Sequence, residues 1–410
     1  MGKFLSFIIY SIVCGELLFA ADNFFVESVR SGLIECSKMD VSCELSAGVL
    51  ASDGNGTKRL VVGNDKTPKS GEESAIFTVD IFNNSNILQV EHYYTSPTIR
   101  KAQKFEGMTS TPDGRFIIAT TAFDRFDVNN TKYDGYNTLI AWQANMPEKV
   151  SHTTSNPLKI RELLLGALQA QYGSGIQYFK VEGLTVAPNN KLIFGVRELG
   201  ESYQTFKYGA ILVEAQYVIY RNEFLVDDTV PFRVISGFDD MLKKQPLEQV
   251  GLSSMEYDFK NKKMYMLTSV ESFSKDTNKT SLGGYLWSAE LTDGKLQKIT
   301  PAKGKNGQIF KFMHKSEGLA ILSADELVII HDDDREKTSV RLPDGTMLQR
   351  LPNQAAFEIL KILTGKSSLS TDKTKNMVKK KYLKDQDAPA IYNWVNNPNK
   401  TSNPILDSFK

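Results

Sequence analysis

Short apolar runs separated by polar turns fill most of the chain, and one layout of them recurs. An acidic or hydroxyl residue opens an apolar run and stands ten positions before the first apolar residue of a second run. Four copies open at Glu106, Glu182, Ser254 and Glu317, and a looser copy opens at Ser46. The copies follow one another at similar intervals along the chain, and β-branched and aromatic residues dominate their runs. Repeats of this kind predict the blades of a β-propeller.

The predicted fold is therefore all-β, a five-bladed β-propeller over residues 46–353, with six blades as the alternative count. Two segments depart from the strand pattern. Apolar residues at helical spacing predict a short helical insertion over residues 157–171 and a second helix over residues 354–364. Residues 366–410 are rich in Lys, Ser, Asn and Asp, so residues 354–410 are predicted to form a helix followed by a poorly ordered tail.

Residues 1–20 have the pattern of a signal peptide. Lys3 precedes an apolar stretch that ends at Ala20, and an uncleaved membrane anchor is the alternative. Export predicts a secreted protein, or one in the periplasm or the lumen of the secretory pathway. Residues 21–45 form a lead-in that adds a strand or caps one end. Within it Cys36 and Cys43 are predicted to form a disulfide, with two free buried thiols as the alternative.

Composition narrows the range of partners. The 410 residues are 41% hydrophobic and 24% charged, and their net charge is +1. This balance gives no reason to expect a nucleic acid polymer or, after signal cleavage, a membrane as a partner. The sequence also lacks a nucleophile elbow, a phosphate-binding glycine loop and a His-Glu-x-x-His motif, and it contains four histidines. A small phosphorylated substrate or an extracellular protein or glycan ligand is expected instead.

The opening residues of the repeats carry the candidate chemistry. In a propeller they meet at one end of the central channel, as a ring of Ser46, Glu106, Glu182, Ser254 and Glu317. Three carboxylates about 6 Å apart repel each other by about 3 kcal/mol per pair at an effective dielectric of about 20. Such a ring requires protonated carboxylates or a cation, and hard oxygen ligands suit Ca²⁺. The alternative is a ring without metal, solvated by water in the channel.

The ring also carries a resemblance. The order Ser, Glu, Glu, Ser, Glu is similar to the calcium ring of the calcium-activated nucleotidase (soluble apyrase) family. Residues 251–257 and 284–319 resemble that family's fourth-blade opening and the stretch into its fifth blade. The resemblance implies a five-bladed propeller with a central Ca²⁺ that hydrolyses nucleoside di- and triphosphates. The Glu-Gly-Leu openings are more distantly similar to those of phytase-like secreted propellers. The family's acidic Asp-Leu-Asp-type segment has no match within residues 22–45.

Three catalytic residues are predicted, and the same resemblance suggests two of them. Asp65 and Arg197 fall where the nucleotidases have substrate-side Asp and Arg residues. Arg197 would hold a terminal phosphate, and Asp65 or Glu198 would position the attacking water. The alternative function is a non-catalytic propeller in which Ca²⁺ is structural and the loops bind a protein or glycan.

Overall fold

The computed structural model describes residues 24–363, apart from residues 37–41, 53–54, 67, 69–72, 128, 236–237, 244–246, 248–249, 275–278 and 335. The predicted signal peptide at 1–20 and the predicted tail at 366–410 lie outside the described residues. Among the residues that are described, no helix has the length and apolar composition needed to cross a bilayer.

Strand β1 (Phe25–Glu35) precedes the first two blades. Blade 1 consists of β2 (Leu45–Ser52), β3 (Lys58–Asn64), β4 (Ile76–Val79) and β5 (Ile87–Tyr93). After the short helix α1 (Pro97–Lys101), blade 2 consists of β6 (Phe105–Ser110), β7 (Phe116–Thr121), β8 (Leu139–Gln143) and β9 (Ser151–His152). A 3-10 helix (Thr131–Tyr136) lies between β7 and β8.

Helix α2 (Pro157–Tyr172) follows blade 2, which confirms the helix predicted over residues 157–171. Its sequence explains both ends. Asn156 caps the first turn by accepting a hydrogen bond from the backbone of Leu158, and Gly173 follows the last turn with a φ of 100°. Ile160 and Leu164 are fully buried, so the apolar stripe of the helix packs into the core between blades 2 and 3.

Blades 3 and 4 contain the longest strands. Blade 3 consists of β10 (Tyr178–Ala187), β11 (Lys191–Ser202), β12 (Thr205–Tyr220), β13 (Glu223–Val226) and β14 (Arg233–Ile235). Helix α3 (Phe238–Leu242) leads to blade 4, which consists of β15 (Gly251–Asp258), β16 (Lys263–Ser274), β17 (Lys279–Thr292), β18 (Lys295–Pro301) and β19 (Lys311–Phe312).

Blade 5 is assembled from both ends of the described chain. It contains β20 (Ser316–Ile321) and β21 (Glu326–His331), followed by a hairpin of β22 (Ser339–Arg341) and β23 (Met347–Gln349), and then β24 (Gln354–Leu363). The strand order is β20-β21-β24-β1, so the first strand of the chain completes the last blade. On its other edge, β1 runs parallel to β5 of blade 1.

Strand β24 replaces the helix predicted over residues 354–364. This stretch is a nearly continuous apolar run, and such a run can be a buried helix or a strand covered on both faces. Phe357 and Leu360 are buried, and the segment pairs with β21 along its length. Its place between β21 and β1 therefore fixes it as a strand.

The five blades close into a ring. The inner strands pack side by side in the circular order β2, β6, β10, β15, β20 and back to β2. A separate apolar core fills each of the five junctions between neighbouring blades. The predicted all-β, five-bladed propeller is confirmed by this arrangement. Its strands extend from Phe25 to Leu363, beyond the predicted bounds of 46–353.

The lead-in supports this closure. Its prediction as an added strand is confirmed by β1, and a disulfide joins Cys36, just after β1, to Cys43, just before β2. Both cysteines are buried in the core between blades 5 and 1. A disulfide at this place fits an oxidising compartment.

Candidate functional site

Every inner strand of the propeller begins with a β-bulge. In each blade an extra residue of the inner strand interrupts its pairing with the second strand, and these residues are Ser46, Glu106, Glu182, Ser253 and Glu317; in blade 3, Arg197 of β11 is a second extra residue. A bulge leaves its extra residue unpaired and re-aims the side chain. The repeats therefore share a structural device at the end of the channel where the sequence places its ring.

The structure corrects one member of the predicted ring, because the bulged residue of blade 4 is Ser253 and not Ser254. Ser254 instead corresponds to Ala47, Gly107 and Gly183, the small residues at the blade contacts. A Cβ at Gly107 would lie 2.9 Å from Cβ of Leu184, which explains why this position must stay small. The Ser253 hydroxyl is buried and has no hydrogen-bond partner among the described residues.

Variation in hairpin length explains the error. The strand pairing gives the same position in the four hairpins to Ile117, Leu192, Met264 and Leu327. Counted from the bulge to this position, the spacing is ten residues in blades 3 and 5 but eleven residues in blades 2 and 4. The longer spacing of blade 2 is not visible in the sequence, because Phe116, just before Ile117, is also apolar. Blade 4 has a lysine at that place, so a fixed spacing of ten selects Ser254.

A central cavity of about 380 Å³ opens at the bulge end of the channel. It brings together four of the predicted ring residues, Ser46, Glu106, Glu182 and Glu317, whereas neither Ser253 nor Ser254 lines it. Its lining includes eight acidic residues, Glu44, Asp65, Glu106, Glu182, Glu317, Asp332, Asp334 and Glu336, and four lysines, Lys66, Lys104, Lys180 and Lys315.

The ring carboxylates have cationic partners within the protein. The Lys180 ammonium lies 3.1 Å from Glu106 and also contacts Glu182. Arg197 Nη1 lies 3.1 Å from the other oxygen of Glu182, and Lys315 Nζ lies 3.4 Å from Glu317. Lys104 contributes a longer contact of 3.7 Å to Glu106. The repulsion expected between three bare carboxylates is therefore largely offset by side chains of the same chain.

These cations come from a sequence signal that the ring prediction did not use. Lys104, Lys180 and Lys315 each stand two residues before a ring glutamate, in the repeated order Lys-x-Glu-Gly. Each lysine lies beside its glutamate, with Lys104 at 3.7 Å from Glu106, Lys180 in contact with Glu182 and Lys315 at 3.4 Å from Glu317. In blade 4 the corresponding residue is Gly251, where a Cβ would lie 2.7 Å from the side chain of Arg197. Arg197 thus occupies the place that a lysine has elsewhere.

The three ring glutamates titrate differently because their surroundings differ. Burial raises the pKa of Glu106 to about 8, despite the opposing attraction of Lys180. Burial also raises the pKa of Glu317 to about 7, with a further contribution from the charge of Glu182. For Glu182 burial is outweighed by Arg197 and Lys180, which together lower its pKa to about 2. Glu182 is therefore the ring carboxylate that stays ionised across the physiological range.

The three predicted catalytic residues do not all line the central cavity. Asp65 lines the central cavity. Arg197 is 3% exposed and does not line that cavity, and its Nη1 donates to Glu182 and to the Ser269 hydroxyl at 2.6 Å. Glu198 is also buried and accepts a 2.5 Å hydrogen bond from the Tyr178 hydroxyl. Arg197 and Glu198 therefore lie outside the lining of the central cavity.

A second acidic group lies at the cavity, and its member Glu44 was not predicted from the sequence. Glu44, Asp332 and Asp334 each place a carboxylate oxygen within 4.8 Å of the others. Burial raises the pKa of Asp332 well above its usual range, although Lys315 opposes the shift. Lys66 Nζ approaches Glu44 to 2.7 Å and Lys315 Nζ approaches Asp334 to 3.1 Å, at the edges of the group.

Arg350 holds the backbone that carries two of these acids. Its buried guanidinium donates to the carbonyl oxygens of Asp334 at 2.9 Å and Glu336 at 2.6 Å, and to the Thr338 hydroxyl at 3.1 Å. Asp333 adds a second anchor, because its carboxylate accepts the backbone N–H of Lys315 at 3.0 Å. The acidic segment is therefore fixed before any ligand arrives.

The two groups of acids differ in how well they fit Ca²⁺. At the ring, an ammonium between Glu106 and Glu182 takes the place that a dication would need. At Glu44, Asp332 and Asp334, three carboxylate oxygens lie within 4.8 Å of one another, with Lys66 in contact with Glu44 and Lys315 in contact with Asp334, and Ser46 and Asp65 line the same cavity. Ca²⁺ accepts 6–8 oxygen ligands of this kind. The donor set of the second group fits Ca²⁺, whereas the ring itself fits it poorly.

Comparison with known proteins gives distant structural likenesses. A luciferin-regenerating enzyme matches at 8% identity and a TM-score of 0.33, covering 84% of this chain and 98% of that one. An α-L-arabinanase of Penicillium chrysogenum, in complex with arabinobiose, matches at 8% identity and a TM-score of 0.37, covering 83% and 99%. Levansucrase of Bacillus subtilis matches at 12% identity and a TM-score of 0.32, covering 80% and 87%.

No protein-family model matches the chain, and no curated protein sequence matches it significantly. The three structural likenesses have TM-scores below 0.5, so the five-bladed fold follows from the chain's own strand order and ring of inner strands. None of the three is an apyrase or a phytase by name, and the resemblance to those families stays a prediction.

Proposed function

We propose that this protein is an exported propeller whose central cavity binds Ca²⁺ and hydrolyses phosphate esters or phosphoanhydrides. The observation that carries the proposal is the excess of acidic over basic side chains in the cavity, eight against four among the residues that the structure describes. An excess of buried acids must be protonated or must attract a cation. Glu44, Asp332 and Asp334 would hold that cation, in place of the ring centre expected from the sequence.

The cavity also contains groups for an anionic substrate. Lys66, Lys104 and Lys315 face it from three different blades, and each ammonium can donate a hydrogen bond to a phosphate oxygen. When bound, Ca²⁺ would neutralise phosphate oxygens and orient them. Asp65 would position the attacking water. Water adds to phosphorus, the P–O bond to the leaving group breaks, and the leaving oxygen takes up the proton that the water loses.

Two measurements on the mature protein test this proposal. Calorimetric titration with Ca²⁺ measures binding, and phosphate release from nucleotides and phosphate monoesters measures hydrolysis with and without a chelator. Asp332→Asn combined with Asp334→Asn should abolish Ca²⁺ binding and all activity. Asp344→Asn, on an exposed turn, is the matched control and should change neither. Unchanged Ca²⁺ affinity in the double variant, or activity that resists chelation, contradicts the proposal.

A second candidate function rests on the same cavity. The ring glutamates are already paired with Lys180, Arg197 and Lys315, so this part of the channel is neutralised and rigid without any substrate. That arrangement favours a non-catalytic propeller that uses Ca²⁺ to fix its loops and binds a protein or glycan. Ca²⁺ binding without phosphate release from any substrate would support this candidate.

A further inference from the structure

A second cavity of about 600 Å³ adjoins the central cavity and is called the side cavity here. Asp65, Lys66 and Lys104 line both cavities and form the border between them. Beyond this border the wall of the side cavity contains Arg125, Tyr136 and Tyr203. A ligand that reaches the border from the side cavity therefore meets the central cavity at Asp65, the acid expected to position water.

The charged side chains that line the two cavities differ. Among the described residues, acids outnumber lysines by eight to four in the central cavity, whereas the side cavity is lined by Lys66, Lys104, Arg125 and Asp65; Lys66 also pairs with Glu44 at 2.7 Å and Lys104 with Asp124 at 2.6 Å. An anionic group is stabilised where cations are in excess and is repelled where carboxylates are in excess. The border therefore suits one anionic group. A chain of several phosphates would extend from the border into the central cavity, where a bound Ca²⁺ would offset only part of the acidic excess.

The far wall of the side cavity is aromatic and held in place. The Arg125 guanidinium lies 4.6 Å from the ring centre of Tyr136 and donates to its hydroxyl at 3.0 Å. Tyr203 packs edge-on against Tyr178, with 6.0 Å between ring centres, and the Tyr178 hydroxyl is fixed by its hydrogen bond to Glu198. Tyr203 is nevertheless 62% exposed, so it can contact a bound ring.

We propose that the side cavity binds the ring of a phosphate monoester, whose single phosphate lies at the border between Lys66 and Lys104. This inference rests on the proposed hydrolase and narrows its substrate to ring-bearing monoesters rather than di- or triphosphates. Tyr203 contacts the ring and Arg125 supplies additional positive charge. Glu198, which the sequence suggested as catalytic, acts as a positioning residue for the aromatic wall.

Binding of stable phosphonates to the whole protein in the presence of Ca²⁺ tests the inference without requiring turnover. Phenylphosphonate and methylphosphonate carry the same anionic group, and only the first carries a ring. An aromatic contact of about 0.5–1.5 kcal/mol corresponds to an affinity about two- to tenfold higher for phenylphosphonate. Tyr203→Ala should remove this difference. Tyr220→Ala is the matched control, because Tyr220 is 56% exposed and lines neither cavity.

Each outcome decides a separate point. Equal affinity for the two phosphonates, or a phenyl preference that survives Tyr203→Ala, overturns the assignment of the ring to the side cavity. Inorganic pyrophosphate binding more tightly than phenylphosphonate overturns the preference for a single phosphate. The proposed function fails differently, through the absence of phosphate release from every substrate while phenylphosphonate still binds.

Discussion

Replacing Lys180 with methionine provides the sharpest test of how the ring is held together. Lys180 is 15% exposed and bridges two glutamates that are each 3% exposed, at 3.1 Å from Glu106 and in contact with Glu182. Methionine keeps most of the side-chain volume and removes the charge. The glutamates would then lose their shared counter-charge, although Glu182 retains Arg197.

The expected magnitude follows from this geometry. A pair of charges 3.1 Å apart attracts by about 5 kcal/mol at an effective dielectric of about 20, and breaking a buried pair costs about 3–5 kcal/mol. Burial raises the pKa of Glu106 to about 8, so this carboxyl is partly protonated near neutrality. The lower cost of about 3 kcal/mol therefore applies at neutral pH. At about 2 °C per kcal/mol for a domain of this size, the melting temperature should fall by about 6 °C.

The loss of stability in Lys180→Met should also depend on pH. Glu106 has a folded-state pKa above its unfolded value, so its burial costs stability as the pH rises from about 4.5 to about 8. Without Lys180 the pKa of Glu106 rises further. The free energy of unfolding then continues to fall above pH 8, by up to about 1.4 kcal/mol per pH unit. The deficit of Lys180→Met relative to the wild type should therefore grow between pH 8 and pH 9.

Thermal unfolding at pH 7 and pH 9 measures both effects. Lys180→Met combined with Glu106→Gln should recover part of the loss, since it removes the carboxylate left without a partner. Lys159→Met is the matched control, because Lys159 pairs with Glu162 on the exposed face of α2 and its replacement should cost less than about 0.5 kcal/mol. A loss below about 1 kcal/mol at pH 9, or an equal loss in the control, would refute the reasoning.

Three further predictions concern stability. Glu256 is buried, one of its carboxylate oxygens has no hydrogen-bond partner in the part of the chain that the structure describes, and burial raises its pKa well above the usual range. Glu256→Gln should therefore lessen the fall in denaturation midpoint as the pH rises above about 4.5. Replacing Cys36 and Cys43 with serine should cost about 2–3 kcal/mol in denaturant unfolding, and a reductant should destabilise only the parent protein. Ser254→Leu should reduce the free energy of unfolding by about 1–3 kcal/mol through overpacking and so lower the melting temperature, whereas Ser253→Ala should change it little. The reverse order would contradict the assignment of the bulge.

The repeats in the sequence were sufficient to predict the class of fold. Apolar runs with turns between them specify blades, because each blade buries its faces against its neighbours in a similar way. The helix at 157–172 was also predictable, since its apolar stripe and its Asn-Pro start are local signals. The strand at 354–363 was not, because its conformation depends on pairing with β21, beyond an intervening hairpin, and with β1, at the opposite end of the described chain.

The site was predictable in part. Four ring residues do line the central cavity, because the repeat places them at one structural position. The fifth was missed, since Ser254 and Ser253 are both serines and only the pairing with Leu267 shows which one is bulged. The group of Glu44, Asp332 and Asp334 joins two distant parts of the chain, and no spacing within either part indicates that they meet.

The order in which the strands of blade 5 arise along the chain has a consequence for synthesis. Strand β1 leaves the ribosome before all of the other strands, whereas β24, its partner in the last blade, leaves after them. At a synthesis rate of about 5–20 residues per second, β1 waits for that partner for a time on the order of a minute or somewhat less. Its parallel contact with β5 becomes available much sooner and can shelter one of its edges in the meantime. A chain that stops before residue 354 would leave β1 and β21 with unpaired edges, the feature that makes incomplete chains aggregate.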